Sequence, residues 1–355
     1  MSSRPSERIC LVPRLVGVGG MVSFQEKLRS GLAARGIETC QNLADTPYSA
    51  VLIIGGSRQL GRLWRARRSG VRLVQRLDGM NWVHHRLPTG RRHFLRAEYG
   101  NRLLALSRSW LADRIVYQSA FARDWWERVY GETRKHHVII HNGVDLERYS
   151  PEGAERPPHD HWRLLMVEGS LLGGYEFGLE NGVKLAEMLA ERQGAAHSHK
   201  GVELVVVGRV QAGTQARWER YLSERGLTGR VWITWLGLLP SERIPGIDRS
   251  AHLLFSADLN AACPNSVVEA LACGTPVLAF ATGALPELIT AQAGRVVAYG
   301  GDPWRLEPPD LPALVEAAGE ILTNQSRYRL GARQRAEQTL SLDCMVDRYL
   351  GALIE

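Results

Sequence analysis

Glu269 is the residue whose type and position best suit ligand binding. It lies in the segment 261–278, which opens with turn residues, continues as a short predicted helix and ends in an apolar strand. The start of a helix exposes backbone N–H groups and favours anions, so Asn265 and Ser266 are candidate donors to a phosphate or a sugar. One alternative stays open, because Ser266 and Glu269 also have the spacing of a capping box, in which the two side chains only close the helix end.

Glycine-rich turns follow the first predicted strand of each half of the chain. In the second half, a turn of this kind that leads into a helix can hold phosphate through main-chain amides, and Arg209 or Lys184 could add positive charge. In the first half, Gly19 and Gly20 allow the backbone to approach a ligand closely, although a tight turn without a ligand explains them as well. The candidates in the second turn are Gly169, Ser170, Gly173 and Gly174.

Four further residues have a type or a position that could suit chemistry or ligand binding. Asp78 follows a predicted strand and is the candidate catalytic carboxylate, with a plain Asp-Gly turn as the alternative. Gly283 lies in the turn Thr282–Glu287 and is a candidate donor contact, with an ordinary strand-to-helix turn as the alternative. His84 and His85 are adjacent, so on a regular element they would point different ways, and no metal ligands are assigned.

Short apolar runs alternate with helical patterns along the whole chain. This alternation predicts parallel sheets covered by helices on both faces, in two Rossmann-like doubly wound α/β domains. The first domain is predicted over 1–150, a Pro-rich linker over 151–160, and the second domain over 161–340, followed by a terminal helix over 341–355. A chain of 355 residues exceeds the usual size of a single core, in agreement with two domains.

Charge is distributed unevenly between the halves. Residues 1–150 contain 25 Lys and Arg against 12 Asp and Glu, whereas residues 151–355 contain 19 against 25. The basic first half indicates an anionic partner, and the Arg-rich stretch 58–68 can be drawn as an amphipathic helix of the kind that lies on anionic lipid. A solvated surface helix is the alternative, and nucleic acid is not favoured because aromatic residues do not form a stacking platform.

The segment around Glu269 resembles the nucleotide-binding motif of retaining glycosyltransferase family 4, whose members have the GT-B fold. In that family two glutamates bracket seven residues; the second binds the ribose and the first touches the transferred sugar. Glu269 matches the second position, and Ala261 stands at the first. The resemblance extends to Gly17–Gly20, to Ala112–Phe121 and to the domain-closing segment Val138–Asp145, and so covers most of the chain.

The resemblance implies two domains facing a deep cleft, with a C-terminal helix that crosses back to the first. It implies transfer of a sugar, with retention and without a metal, from a nucleotide-diphosphate sugar such as a UDP- or GDP-sugar to a glycan, lipid-linked or small-molecule hydroxyl. No cofactor is expected besides this donor substrate. Ala261 and the absence of an Arg/Lys pair near Gly169 keep two alternatives open: a catalytically weakened nucleotide-sugar-binding partner protein, and a GT-B nucleotide-sugar epimerase.

Composition sets the remaining expectations. The N-terminus lacks an apolar run long enough for a signal peptide and no stretch approaches the length of a membrane span, so a cytoplasmic protein, either free or peripheral on the inner membrane face, is expected. The five cysteines are scattered and predict reduced thiols.

Overall fold

The computed structural model describes residues 8–17, 19–88, 90–172, 176–195 and 200–354. The chain divides into two compact units. Unit 1 comprises Met1–Gly143 together with Leu340–Glu355, and unit 2 comprises Val144–Thr339. None of the helices in the described ranges combines the length and the apolar character that crossing a bilayer requires.

Unit 1 is built on one six-stranded parallel sheet. Its strands are β1 Arg8–Val12, β2 Glu38–Cys40, β3 Ala50–Ile54, β4 Arg72–Leu77, β5 Arg114–Tyr117 and β6 His136–Ile139, in the order β2-β1-β3-β4-β5-β6. Its helices are α1 Gly20–Ala33, α2 Leu60–Arg68, α3 Arg91–Leu106 and α4 Ala120–Tyr130. A 3-10 turn, Val83–His85, and a π-helical turn, Ser107–Leu111, flank α3.

The last helix of the chain completes the core of unit 1. This helix runs over Leu342–Ile354 and buries Val346 and Tyr349 against Phe24 of α1 and the inner residues of β1 and β3. Gly31 of α1 has to be small, since a Cβ there would overlap Val346. The apolar 3.6-residue period of the terminal segment therefore reflects burial against the sheet.

Unit 2 contains a second parallel sheet of six strands. The strands are β7 His161–Ser170, β8 Gly201–Arg209, β9 Val231–Gly237, β10 Leu253–Ser256, β11 Val277–Phe280 and β12 Gly294–Val297, in the order β12-β11-β10-β7-β8-β9. The helices are α5 Glu176–Ala195, α6 Ala212–Glu224, α7 Ile244–Arg249, α8 Asn265–Ala272, α9 Leu285–Leu288, α10 Leu311–Thr323 and α11 Gln325–Thr339, and the terminal helix of unit 1 is α12.

Strand order creates one switch point in each sheet. In unit 2, β8 and β9 follow β7 toward one edge of the sheet, and β10, β11 and β12 then continue from the other side of β7 toward the opposite edge. The direction of the connections therefore reverses between β7 and β10. In unit 1 the divergence lies between β1 and β3. Ligands of doubly wound folds bind outside the carboxyl ends of the strands at such points.

The structure confirms the predicted doubly wound architecture and differs in detail. The three-residue edge strand β2 was missed because half-exposed strands this short carry almost no periodicity. The Arg-rich stretch drawn as a helix over 58–68 becomes helical only at Leu60. The boundary between the units falls at Gly143 and Val144, ahead of the predicted Pro-rich linker, and Glu155 within that stretch pairs with Arg249 of unit 2 at 2.7 Å.

Candidate functional site

Two acidic residues lie at the switch point of unit 2, Glu168 near the end of β7 and Asp258 just after β10. Leu165 of β7 pairs with Leu254 of β10, which places Glu168 and Asp258 just beyond neighbouring points of the two strands. Burial raises the pKa of Asp258 to about 6. Burial and, secondarily, the Asp258 carboxyl raise the pKa of Glu168 well above its usual value. Sequence reasoning missed both, although each follows an apolar strand.

Glu269 lies on α8, in the same unit, and is 8% exposed. The helix begins at Asn265 with Pro264 as its N-cap, and no side-chain hydrogen bond caps it. Ser266 is therefore inside the first turn, and the capping box that the sequence left open is not formed. Ser266 is thus not the N-cap that the capping box requires, and the Glu269 carboxylate remains a candidate ligand group.

Two acidic groups with raised pKa values, the carboxyl of Asp248 and the phenol of Tyr149, interact electrostatically with Glu269. Burial and the Glu269 charge raise the pKa of Asp248 well above its usual value and raise the pKa of the Tyr149 phenol. Arg333 of α11 holds this region together, because its Nη1 donates to the carbonyl oxygens of both Tyr149 and Ala272 at 2.8 Å. The second contact occupies a carbonyl at the end of α8, which fixes the helix that carries Glu269.

Gly283 packs directly on the backbone of Ala261. Its φ is +60°, and a Cβ there would lie 2.5 Å from the carbonyl oxygen of Ala261 and 2.6 Å from its nitrogen. The neighbouring Ala284 N–H donates to that same carbonyl at 2.8 Å. The glycine is thus required by the close approach of two loops at the carboxyl ends of β10 and β11, whether or not it also touches a ligand.

Three buried polar side chains surround this loop pair without satisfying their hydrogen-bonding groups. Asn260 Nδ2, Ser256 Oγ and Thr282 Oγ1 have no hydrogen-bond partner among the described residues. Asn260 also has a left-handed φ of 58°, and such conformations cluster at ligand sites. Since buried polar groups are almost always paired, these three are candidate ligand contacts that the sequence did not reveal.

The predicted phosphate-binding turn lies only partly within the described residues. Gly173 and Gly174 fall outside them, while Gly169 and Ser170 are exposed at the end of β7. Arg209 is exposed beside them, with its carbonyl accepting from Leu171 N–H at 2.9 Å. Lys184 lies within α5 and pairs with Glu180. Arg209 is therefore the better placed of the two cations at the strand ends.

In unit 1, Gly19 and Gly20 lie at the carboxyl side of β1, next to the switch point. Gly19 is the N-cap of α1 with a φ of 142°, and a Cβ there would meet no atom within 4 Å in the described structure. Gln25, buried in α1, fixes the preceding loop by accepting from Leu15 N–H at 3.0 Å and donating to the Pro13 carbonyl at 2.9 Å. Among the described residues, a side chain at Gly19 would thus meet no neighbour, and the role of this turn in acceptor binding stays a prediction.

Asp78 follows β4 and is fixed through its backbone. Its carbonyl accepts from Trp126 Nε1 at 2.7 Å, and a Cβ on Gly79 would lie 2.9 Å from the Trp125 ring. Gly79 is not left-handed, so close packing accounts for the glycine. Burial raises the pKa of Asp78, opposed by the Arg76 guanidinium 4.0 Å away, and Arg76 is itself buried over the Phe24 ring.

His84 and His85 do not point different ways. Their ring centroids are 4.2 Å apart, and their Nε2 atoms lie 3.0 and 3.1 Å from the same oxygen, Glu98 Oε1 on α3. The expectation was wrong because the pair occupies a single 3-10 turn rather than an extended strand. The two imidazoles lower the pKa of Glu98, chiefly through the His84 hydrogen bond.

Comparison with known families matches both units. Residues 45–148 match the family model described as Glycosyltransferase Family 4, and residues 178–324 match the one described as Glycosyl transferases group 1. The chain is 28% identical over 141 residues to 2-deoxystreptamine N-acetyl-D-glucosaminyltransferase of Streptomyces fradiae, covering 40% of this chain and 31% of the relative.

A second relative extends the sequence similarity. GDP-mannose-dependent alpha-(1-6)-phosphatidylinositol dimannoside mannosyltransferase of Mycobacterium tuberculosis is 27% identical over 234 residues, covering 63% of this chain and 53% of the relative. The chain thus spans about a third to a half of the length of these curated relatives. Among solved structures, sucrose-phosphate synthase from Thermosynechococcus elongatus has a TM-score of 0.68 at 16% identity over 97% of both chains. This likeness confirms the GT-B fold class.

Proposed function

We propose that this chain, with glycosyltransferase family 4 and group 1 regions in a GT-B fold, transfers a sugar from a nucleotide-diphosphate sugar to a hydroxyl group. The acceptor would be a glycan, a lipid-linked glycan or a small molecule. One observation carries the proposal: Glu269 is a buried carboxylate on α8, the helix that follows the switch-point strand β10. The matched family regions support the same chemistry.

The donor would be held by unit 2. An ionised Glu269 can accept hydrogen bonds from two neighbouring ribose hydroxyls. The N–H groups at the start of α8, together with the side chains of Asn265 and Ser266, would bind the diphosphate or the sugar. Gly169, Ser170 and Arg209 complete the proposed phosphate contacts, and Gly283 keeps the loop at Ala261 close. No metal is required for the diphosphate in this arrangement.

The transferred sugar would meet uncharged groups where family members have a glutamate. Ala261 offers no side-chain acceptor, but the orphaned groups of Asn260 and Thr282 lie on the two loops that meet at this residue, and that of Ser256 lies at the end of β10. Hydrogen bonds from sugar hydroxyls would satisfy them, at a position where leaving them unpaired is costly. These three residues are therefore proposed to supply the sugar contacts that the motif lacks.

Removal of the Asn260 or Thr282 polar groups tests this assignment. Asn260→Gly keeps the left-handed backbone accessible, and Thr282→Val keeps the side-chain shape. Each should weaken nucleotide-sugar binding by about 0.5–1.5 kcal/mol, the usual net value of a hydrogen bond, and leave the affinity for the nucleoside diphosphate unchanged. Calorimetry with both ligands provides the comparison; equal losses for the two would contradict a sugar contact.

Retention would follow from a front-face reaction. The acceptor oxygen bonds to the anomeric carbon as the bond from that carbon to the diphosphate oxygen breaks, and the hydroxyl proton passes to the leaving phosphate. This route needs no side-chain nucleophile. Asp78 is proposed to contact the reacting sugar or acceptor from unit 1, and Gly19 and Gly20 to line the acceptor site.

Ala261 also favours a second candidate, a partner protein that binds nucleotide sugar without efficient transfer. A thermal-shift screen of UDP, GDP, ADP and their sugars identifies the donor, because a ligand of the folded state stabilises it by mass action. The selected donor is then incubated with and without acceptor sugars. Sugar transfer to an acceptor supports the proposed function. Donor binding without transfer or hydrolysis supports the partner protein, and an epimerised sugar without acceptor indicates an epimerase.

Peripheral contact with anionic lipid is the last element of the proposed function. The amphipathic stripe drawn for 58–68 is only partly available, since Leu63 of α2 is fully buried. Trp64 is 49% exposed and lies beneath Arg68, while Trp110 of the adjoining π-helical turn is 73% exposed. Arg67 links the two elements by donating to the Trp110 carbonyl at 2.9 Å. Exposed tryptophans among arginines suit the headgroup region.

We expect the double variant Trp64→Ser, Trp110→Ser to lose most of its sedimentation with phosphatidylglycerol vesicles. The physical reason is the loss of the two apolar side chains that would enter the interface. The matched control is Leu330→Ser, which removes a leucine that is 61% exposed in unit 2 and should bind as the wild type does. Equal vesicle binding by all three proteins would indicate an ordinary solvated surface.

A further inference from the structure

The side chains of His84, His85 and Glu98 form a compact group with the composition of a metal site. One nitrogen of each histidine and one carboxylate oxygen all lie within 4.8 Å of one another. Within the described parts of the chain, no other group of three or more His, Cys, Asp or Glu side chains has its ligand atoms this close together. His84 has 1% of its side chain exposed, Glu98 26% and His85 51%.

Two elements that are hydrogen-bonded to each other bring the three side chains together. The histidines lie in the 3-10 turn Val83–His85, and Glu98 lies on α3. Asn101, one turn after Glu98 on α3, accepts from the N–H of Asn81 at 3.0 Å and donates to its carbonyl at 2.9 Å. This pair of bonds holds the start of the turn against the face of α3 that carries Glu98, because positions three apart share a helix face.

The distances suit a small cation. A tetrahedral ion with bonds of about 2.0–2.1 Å to nitrogen and oxygen places its ligand atoms roughly 3.3 Å apart. The two histidine nitrogens lie 3.0 and 3.1 Å from Glu98 Oε1, so small movements would admit the ion. The Phe94 ring packs edge-on against both imidazoles, at 5.0 and 5.4 Å between centroids, and restricts their rotation.

We propose that His84, His85 and Glu98 bind one divalent transition-metal ion of the zinc type, with solvent at the fourth position. Two imidazoles and one carboxylate are the three protein ligands of a familiar class of open zinc site, and the exposed side of His85 leaves room for water. The ion would join the β4–α3 connection to α3 and stabilise unit 1. This assignment is independent of the proposed sugar transfer.

The test uses the untagged full chain, stripped with a chelator and dialysed. We expect one equivalent of Zn²⁺ in calorimetry, a visible absorption band of four-coordinate Co²⁺, and a higher Tm with Zn²⁺ because the ion binds the folded state. His85→Ala and Glu98→Gln should each lower metal affinity by about tenfold or more. His93→Ala is the matched control, because its exposed ring lies 6.4 Å from that of His84 and outside the cluster.

Three results would overturn the proposal. The first is a wild-type protein that binds no Zn²⁺, which would leave a hydrogen-bonded group in which both imidazoles donate to Glu98. The second is an unchanged affinity in both cluster variants, which would place the ion elsewhere. The third is an equal loss in His93→Ala. Because His85 is half exposed, its replacement should leave the fold intact, and the unfolding midpoint of the metal-free variant checks this.

Discussion

Glu269→Ala should weaken nucleotide-sugar binding by about 1–3 kcal/mol, the value of hydrogen bonds to a charged group, or about 5- to 150-fold in Kd. The carboxylate lies on α8 with 8% of its surface exposed, where water competes little for its hydrogen bonds. The loss should appear equally with the nucleoside diphosphate, because the ribose is common to both ligands. Calorimetry of each ligand against wild type and variant measures it.

Two controls keep this result interpretable. Glu316→Ala removes an exposed glutamate of α10 in the same unit and should leave donor affinity unchanged. The variant at Glu269 should keep its fold, because the Glu269 charge is one of the causes that raise the pKa of buried Asp248, so its removal relieves a repulsion. Unchanged donor affinity with an intact fold would show that Glu269 does not hold the ribose.

Gly283→Ala should destabilise unit 2 by about 2–5 kcal/mol. A left-handed backbone costs an L-residue about 1–2 kcal/mol, and overpacking a tight contact costs about 1–3 kcal/mol more. The added Cβ would meet the backbone of Ala261 at 2.5 and 2.6 Å, which a side-chain rotation cannot relieve. Urea unfolding followed by tryptophan fluorescence measures the change.

Gly213→Ala is the matched control for this substitution. Gly213 lies in the first turn of α6, and a Cβ there meets no described atom within 4 Å. Since alanine is favoured over glycine in helices by about 1 kcal/mol, this variant should be unchanged or more stable. An equal midpoint for Gly283→Ala and wild type would mean that the two loops separate easily, and would remove the structural reason for glycine there.

Sequence periodicity predicted most of the elements because it reports local burial. The run Val277 to Ala279 reads as a buried strand, and the observed β11 is Val277–Phe280. The apolar pattern over 311–323 predicts a helix, and the observed α10 is Leu311–Thr323. Buried parallel strands are apolar throughout, and the helices that cover them have one apolar face. Each element can therefore be predicted from its own residues alone.

Only part of the candidate site could be predicted from the sequence. Glu269 stood out through its motif, but only the position of the helix start at Asn265 showed that Ser266 is not the N-cap. Asn260 and Thr282 lie in segments with an ordinary turn composition. Their neighbours in the sequence do not indicate that the polar group of either residue is buried without a hydrogen-bond partner. Burial of this kind arises from two loops that are some twenty residues apart in the chain.

The sequence by itself determined the α/β class, the position of the motif carboxylate and the uneven charge of the two halves, since each depends on residues near one another in the chain. The tertiary structure decided that β7 lies beside β10, that Gly283 meets Ala261, and that His84 and His85 converge on Glu98. These are contacts between segments distant in sequence. Their free energies depend on strand order and packing, which no local pattern of residues encodes.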